Sequence, residues 1–368
     1  MTPRLGLYCP ELPPLRGGVA DHTLALARAL AELGTDVVVL GREGDPGLFD
    51  PIPCRVGVTH RGGRNGLAES CAALGVGALL VQYVPFLFAR RGIAPALVRS
   101  VAQLQRAGTR IAILVHEPWV PPTRLVWRIT GPLMRRQLLA LVRHASAVYS
   151  PVPAFLDLVR PALALGASAA VVPVGSNVPV VPSDRAATRA RLGLKDSDLA
   201  IGVFSPGASG ALGNWVAQAA RDLSGEPAVV WVVFGAGSET QPTGVPQGPG
   251  VRRLGWLPRE DTSAVLRALD LAAAPFADGL TLRRTSAMAA LAHGVALVSS
   301  NGPLADPDLR DAAVLASDAN AFAAAIGRLV HDAGARAALA ERGRAFHQTR
   351  GSTEVLAARI AADLGVGA

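Results

Sequence analysis

Short apolar runs alternate with helix-periodic segments along this chain. Leu5 to Cys9, Asp36 to Leu40, Ala78 to Val84, Arg110 to Val115, Ala147 to Tyr149 and Ala169 to Val172 are such runs, and each predicts a buried strand. The segments between them, Thr23 to Gly34 first, place apolar residues at helical spacing. Continuously apolar strands separated by helices predict a parallel sheet covered on both faces. A turn-rich stretch, Pro173 to Pro182, breaks the pattern, which restarts with Leu199 to Phe204, Ala228 to Phe234, Val251 to Leu254, Leu271 to Ala274, Val295 to Ser299 and Ala313 to Leu315. The second half thus repeats the first, and two doubly wound α/β domains are expected, with their strand ends facing one cleft. The tail from Ala319 to Leu364, rich in Ala, Leu and Arg, predicts two or three more helices. Only Ala72 to Ala89 approaches membrane length; Gly75, Gly77, Gln82 and Pro85 within it favour a helix end followed by a strand.

Composition agrees with that picture. At 368 residues the chain is long enough for two domains of roughly 100–200 residues each. Half the residues are hydrophobic but only 5% aromatic, so the cores must be Ala, Val and Leu. The net charge of +8 is carried almost wholly by arginine, since Lys195 is the single lysine among 36 basic residues. A pI near 10.5 favours an anionic partner, a nucleotide or a phospholipid surface. Nucleic acid is disfavoured, because no lysine-rich tail, basic-aromatic interleaving or zinc-finger spacing is present. Cys9, Cys54 and Cys71 share no metal-like spacing and read as small buried hydrophobes of a reducing compartment. Met1 to Leu7 lacks the pattern of a signal peptide, so a cytoplasmic protein is expected.

Candidate chemistry begins at Gly17 and Gly18, which follow a strand and a Pro-bounded loop and open a helix. Paired glycines ahead of a helix let backbone approach an anion; the plainer alternative is a turn into the first helix. His116 and Glu117 follow the strand Arg110 to Val115, where doubly wound folds place functional side chains. Asp21 reads as a favourable charge in a first helical turn. Gly235-Ala236-Gly237 follows another strand but lacks the third glycine of a dinucleotide fingerprint, Thr240 standing there. Asp306-Pro307-Asp308 reads as a surface turn. Arg124, Arg128, Arg135, Arg136 and Arg143 interleave with Leu125, Val126, Trp127, Ile129, Leu133, Met134, Leu138 and Leu139, a basic amphipathic pattern suited to an anionic bilayer, with Gly131-Pro132 expected to interrupt the helix.

Seven fragments taken in order resemble the GT-B glycosyltransferases, specifically the retaining family 4 with its "group 1" C-terminal domain. Gly17 to Thr23 is similar to that family's glycine loop, Val81 to Pro85 and Val115 to Val120 to its acceptor-lining strand ends, and Val172 to Pro179 to its linker. Phe234 to Gly237, Val251 to Pro258 and Ala268 to Phe276 follow its C-terminal order. The resemblance implies an N-terminal Rossmann-like acceptor domain over residues 1–175, a linker over 176–188, a donor domain over 189–345, and a C-terminal helix over 346–368 that packs back on the first domain. It also implies a hexosyltransferase that uses a nucleotide-diphosphate sugar and a hydroxyl acceptor, retains configuration, and needs neither metal nor further cofactor. His116, Glu117 and Asp278 are the implied catalytic residues. Gly17, Gly18, Gly235, Arg283, Arg284 and Ser286 are the implied donor-binding ones.

The chain departs from the family where the donor is gripped. The usual Arg and Lys after the second domain's first strand are missing from Ser205 to Ala211, and no register restores the usual glutamate pair, whose places fall on Asp278 and Ser286 or on Thr281 and Ala289. Arg283 and Arg284 are expected to supply the missing cation. Three alternatives follow from these losses: a transferase with altered grip, a catalytically inactive binding or scaffold protein, and a nucleotide-sugar epimerase.

Overall fold

The computed structural model describes residues 2–15, 17–120, 123–207, 210–226, 228–239, 248 and 250–367. Ala208 and Ser209 of the loop Ser205 to Ala211, and Thr240, lie outside the described residues. The chain divides into two compact units, residues 1–174 with 353–368, and residues 175–352.

The first unit holds β1 (Arg4–Tyr8), α1 (Gly18–Glu32), β2 (Val37–Leu40), β3 (Cys54–Arg55), α2 (Leu67–Ala73), β4 (Val76–Tyr83), α3 (Pro85–Phe88), α4 (Pro95–Arg106), β5 (Arg110–Val115), α5 (Leu125–Val142), β6 (Ala147–Ser150), α6 (Pro153–Val159) and β7 (Ser168–Val171). Its seven strands are parallel, in the order β3-β2-β1-β4-β5-β6-β7. Side chains leave the sheet alternately on its two faces, and both faces are apolar. Ile111, Ile113 and Val115 of β5 enter one cluster with Leu97, Val101 and Leu104 of α4, whereas Ala112 and Leu114 enter the other with Leu26 and Leu30 of α1. The strand β3 was not legible as an apolar run, because Cys54 and Arg55 are only half-buried at the sheet's edge.

The second unit holds α7 (Arg185–Arg191), β8 (Leu199–Phe204), α8 (Gly213–Asp222), β9 (Val229–Phe234), β10 (Val251–Gly255), α9 (Arg259–Ala268), β11 (Leu271–Ala274), α10 (Thr285–Ala292), β12 (Ala296–Ser300), β13 (Val314–Ala316), α11 (Ala319–His331) and α12 (Ala333–Phe346). Its six strands are again parallel, ordered β10-β9-β8-β11-β12-β13. The last helix, α13 (Thr353–Leu364), belongs to the first unit, where Leu356, Ile360 and Leu364 are fully buried in the cluster that also contains Leu26 and Leu30 of α1.

Each sheet reverses its winding direction once, between β1 and β4 and between β8 and β11. Ligands of doubly wound sheets bind outside the carboxyl ends of the strands at such a switch point, because the loops on either side diverge there and leave a crevice.

One expectation is corrected. Gly131-Pro132 does not interrupt α5, which runs unbroken from Leu125 to Val142 with Pro132 inside it. Proline removes one helical hydrogen bond, yet the rest of the helix is held by burial of Met134, Leu138, Leu141 and Val142. Gly131 has a packing reason: a Cβ there would lie 2.9 Å from the carbonyl oxygen of Val120.

Candidate functional site

In the first unit the switch point is lined by the loop after β1 and by the ends of β4 and β5. Gly17 caps α1 with extended backbone, φ −177° and ψ 138°, and Gly18 begins the helix. Neither adopts a conformation that only glycine allows, and a Cβ on either would meet nothing within 4 Å. Their smallness is therefore not consumed by the fold; it leaves open space in front of free helical N–H groups.

One turn into α1, His22 turns inward to a buried polar cluster. Its Nδ1 donates to the carbonyl of Val174 over 2.9 Å, and its ring meets that of His116 edge-on with centroids 5.3 Å apart. His116, at the end of β5, holds its backbone N–H on Tyr83 O and pairs its Nε2 with Oε1 of Gln82 at 2.6 Å. Burial pushes the His22 pKa down to about 4, partly opposed by the Val174 carbonyl. Burial, and then the neighbouring His22, push that of His116 well below its ordinary value. Both rings are thus neutral at pH 7, and His116, donating through Nε2, keeps the Nδ1 lone pair for accepting a proton or hydrogen bond. Gln82 Nε2 and His22 Nε2 are buried without a hydrogen-bond partner among the described residues. An orphaned buried polar atom costs about 1–3 kcal/mol, so two together at a switch point mark a place that a ligand or water completes. Glu117 does not join the cluster: its N–H reaches Tyr83 O at 3.5 Å while its side chain is exposed.

The second unit builds its switch point from the loops after β8 and β11, which pair with each other. Leu212 N–H donates to Pro275 O, and Ala277 N–H to Gly210 O. Phe276 N–H is held by the Ser300 hydroxyl at 2.7 Å, and Leu304 N–H by Asp278 O, so β12's end pins the same loop. On that frame Arg283 and Arg284 both close on the carboxylate of Asp278. Arg284 also lies over the Phe276 ring, 4.2 Å from its centroid, and only 11% of its side chain is exposed. Burial alone would raise the Asp278 pKa, but the Arg284 and Arg283 guanidiniums outweigh it and hold the carboxyl below its usual range. The three side chains carry one net positive charge where the sequence suggested two. Ser286 follows as the second residue of α10, 9% exposed.

Gly235 sits behind this loop. Its φ of 82° favours glycine, and a Cβ would press within 2.8 Å of the Phe204 ring and the Ser205 hydroxyl. Ser205 itself, at the end of β8, has φ of 54°, the one positive φ among described residues other than glycine. Strain of that kind costs about 1–3 kcal/mol and collects at ligand sites. Sequence reading assigned no individual role to Gln82, His22 or Ser205, although the fragments Val81 to Pro85, Gly17 to Thr23 and Ser205 to Ala211 contain them. A glutamine inside an otherwise apolar strand was the available signal for the first; backbone strain at Ser205 has none. Of the expected surface turn Asp306-Pro307-Asp308, Pro307 and Asp308 are exposed, whereas Asp306 is a buried cap whose carboxylate accepts from Asp308 N–H at 3.0 Å.

The described helices include none long and apolar enough to cross a membrane. Residues 200–332 match the family model of the group 1 glycosyl transferases. No curated protein matches the chain in sequence. Among solved structures, Anabaena Alr3699/HepE in complex with UDP is similar at a TM-score of 0.71 and 18% identity, over 99% of each chain. A glycosyltransferase from Rickettsia africae is similar at 0.70 and 13%, over 99% of this chain and 98% of that one. WaaG, a glycosyltransferase involved in lipopolysaccharide biosynthesis, is similar at 0.64 and 14%, over 99% and 100%. At such identities the likeness shows the fold: an α/β GT-B fold with two Rossmann-like units, as the sequence fragments implied. The family match covers β8 to β13 and so includes the whole guanidinium–carboxylate cluster.

Proposed function

We propose that the protein is a glycosyltransferase that moves a hexose from a nucleoside-diphosphate sugar to a hydroxyl acceptor, with retention and without a metal. The observation that carries this reading is the arginine pair on Asp278, immediately ahead of α10, at the switch point of a unit that matches the group 1 family model. In the transfer, the bond from the sugar C1 to the diphosphate oxygen breaks, the acceptor oxygen bonds C1, and the acceptor proton leaves with the diphosphate. Charge develops on the leaving group, so preorganised cations there lower the barrier most. Arg283 and Arg284 meet that charge, Ser286 and Asp278 take sugar or ribose hydroxyls, Gly17, Gly18 and Gly235 give room to the donor, and neutral His116 hydrogen-bonds the transferred sugar. Glu117, exposed beside it, is assigned to the acceptor.

Engagement of both arginines by Asp278 favours one other reading, a binding protein that kept the fold and lost turnover. A panel of UDP-, GDP- and TDP-hexoses, with anomeric analysis of products, separates the two. Release of nucleotide with an α-configured product supports transfer, stabilisation without turnover supports binding alone, and an altered free nucleotide sugar without acceptor indicates an epimerase. The Anabaena neighbour was crystallised with UDP-glucose, so UDP-hexoses lead the panel.

The acceptor is proposed to be met at the cytoplasmic face of an anionic membrane. Leu125 is 79% and Ile129 69% exposed, and with Val126 and Leu133 they fall within an arc of about 100° at 3.6 residues per turn. Exposed Arg128 and Arg135 flank one side of that arc, and exposed Arg136 falls within it. An apolar stripe beside arginines suits an anionic bilayer surface.

A further inference from the structure

The first unit has a second opening at the carboxyl end of its sheet, a cavity of about 490 Å³ between the loop after β3 and the start of α4. Arg61 and Arg99 line it together with His60, Ser100 and Ala96, and no acidic residue does. Neither Arg61 nor Arg99 forms an ion pair among the described residues. Ala96 is the second residue of α4, behind Pro95, so its N–H is one that the helix itself cannot bond. His60 is only 8% exposed, and its ring, edge-on to Phe88 at 5.8 Å, has no hydrogen-bond partner among the described residues. Its backbone is fixed by the Ser100 hydroxyl, which donates to His60 O at 3.0 Å. Burial first, and then Arg61 and Arg42, lower the His60 pKa.

We propose that this cavity is a binding site for a phosphate ester. Two guanidinium forks, a helix start and a buried imidazole offer a phosphate donors from several directions and no competing carboxylate. The site adjoins the reacting centre of the first unit: Phe88, against which His60 packs, also stacks on Tyr83 at 5.9 Å, and Tyr83 O holds the His116 N–H. A phosphorylated molecule seated here is then the acceptor, or the group that carries it. That last step rests on the transferase reading; the phosphate site does not.

Calorimetric titration with inorganic phosphate, glucose 6-phosphate and dihexanoyl phosphatidic acid below its micellar concentration tests the site. The unaltered protein is expected to saturate with at least one ester at a single site, and the Arg61→Gln/Arg99→Gln double variant and the Arg99→Glu variant to bind it at least tenfold more weakly. Tighter binding of the sugar phosphate names a soluble ligand, and tighter binding of the phosphatidic acid a lipid headgroup. Failure of all three to saturate, or equal affinity in the variants, overturns the proposal. UDP is titrated in parallel and should bind the variants unchanged. Loss of UDP binding by the unaltered protein would count against the transferase reading and leave the phosphate result standing.

Discussion

At the scale of single residues, the first unit combines open space with a buried polar cluster. Gly18 occupies a helix start that alanine would fill without a clash, so Gly18→Ala should keep or raise stability, by up to about 1 kcal/mol, through a less flexible unfolded chain. The same change should weaken nucleotide-sugar use at least tenfold. Equal kinetics in the variant would reduce the glycine pair to a turn. His22 gives a pH signature. Its pKa is about 4 in the folded unit against 6.5 unfolded, so the unfolded chain binds the extra proton between those values. Stability from this group is complete above pH 6.5 and is lost as pH falls towards 4, by about 3 kcal/mol in all. Urea unfolding of the first unit between pH 7 and 4.5 should show that slope on top of the like-signed share of His116, with His22→Asn reducing it. The polar cluster was not legible as chemistry in the sequence: His116 was read from its place after a strand, but its partner Gln82 stands 34 residues before it and His22 lies one turn into α1, and only folding brings them together.

At the scale of elements, strands were legible because continuous burial on both faces leaves long apolar runs, and β9 carries such a run from end to end. Elements held by packing alone were harder to read. The helix α5 survives Pro132 because its later turns are anchored, while its first turns expose Leu125 and Ile129. Replacing Leu125 and Ile129 by Ser should leave thermal stability within about 0.5 kcal/mol, since neither side chain is buried. Co-sedimentation with phosphatidylglycerol vesicles should fall in that variant and be unaffected in neutral vesicles; full retention would remove the membrane from the account. The helix α13 is the opposite case. Ile360 is fully buried against the α1 layer, and Ile360→Ala should cost about 2–5 kcal/mol. Calorimetry should show that loss in the transition of the first unit, with the second unit's transition unmoved.

At the scale of the whole molecule, two parallel sheets with the same winding reversal each present polar residues at their switch points. The repeat itself was legible, because the alternation of runs restarts after Pro182. The charge balance of the second unit's arginine cluster was not: two adjacent arginines look like two free cations until the fold brings Asp278 between them. The account stands on that cluster gripping a diphosphate. Its most direct test is UDP-glucose affinity, with GDP- and TDP-hexoses alongside, for the unaltered chain and for Arg283→Gln/Arg284→Gln. A ligand present at one hundred times its dissociation constant stabilises the native state by about 2.7 kcal/mol, well within reach of thermal unfolding. The account predicts stabilisation of the unaltered protein by at least one nucleotide sugar and an affinity at least tenfold weaker in the double variant. Stabilisation by none of them, or equal affinity in both proteins, would contradict it.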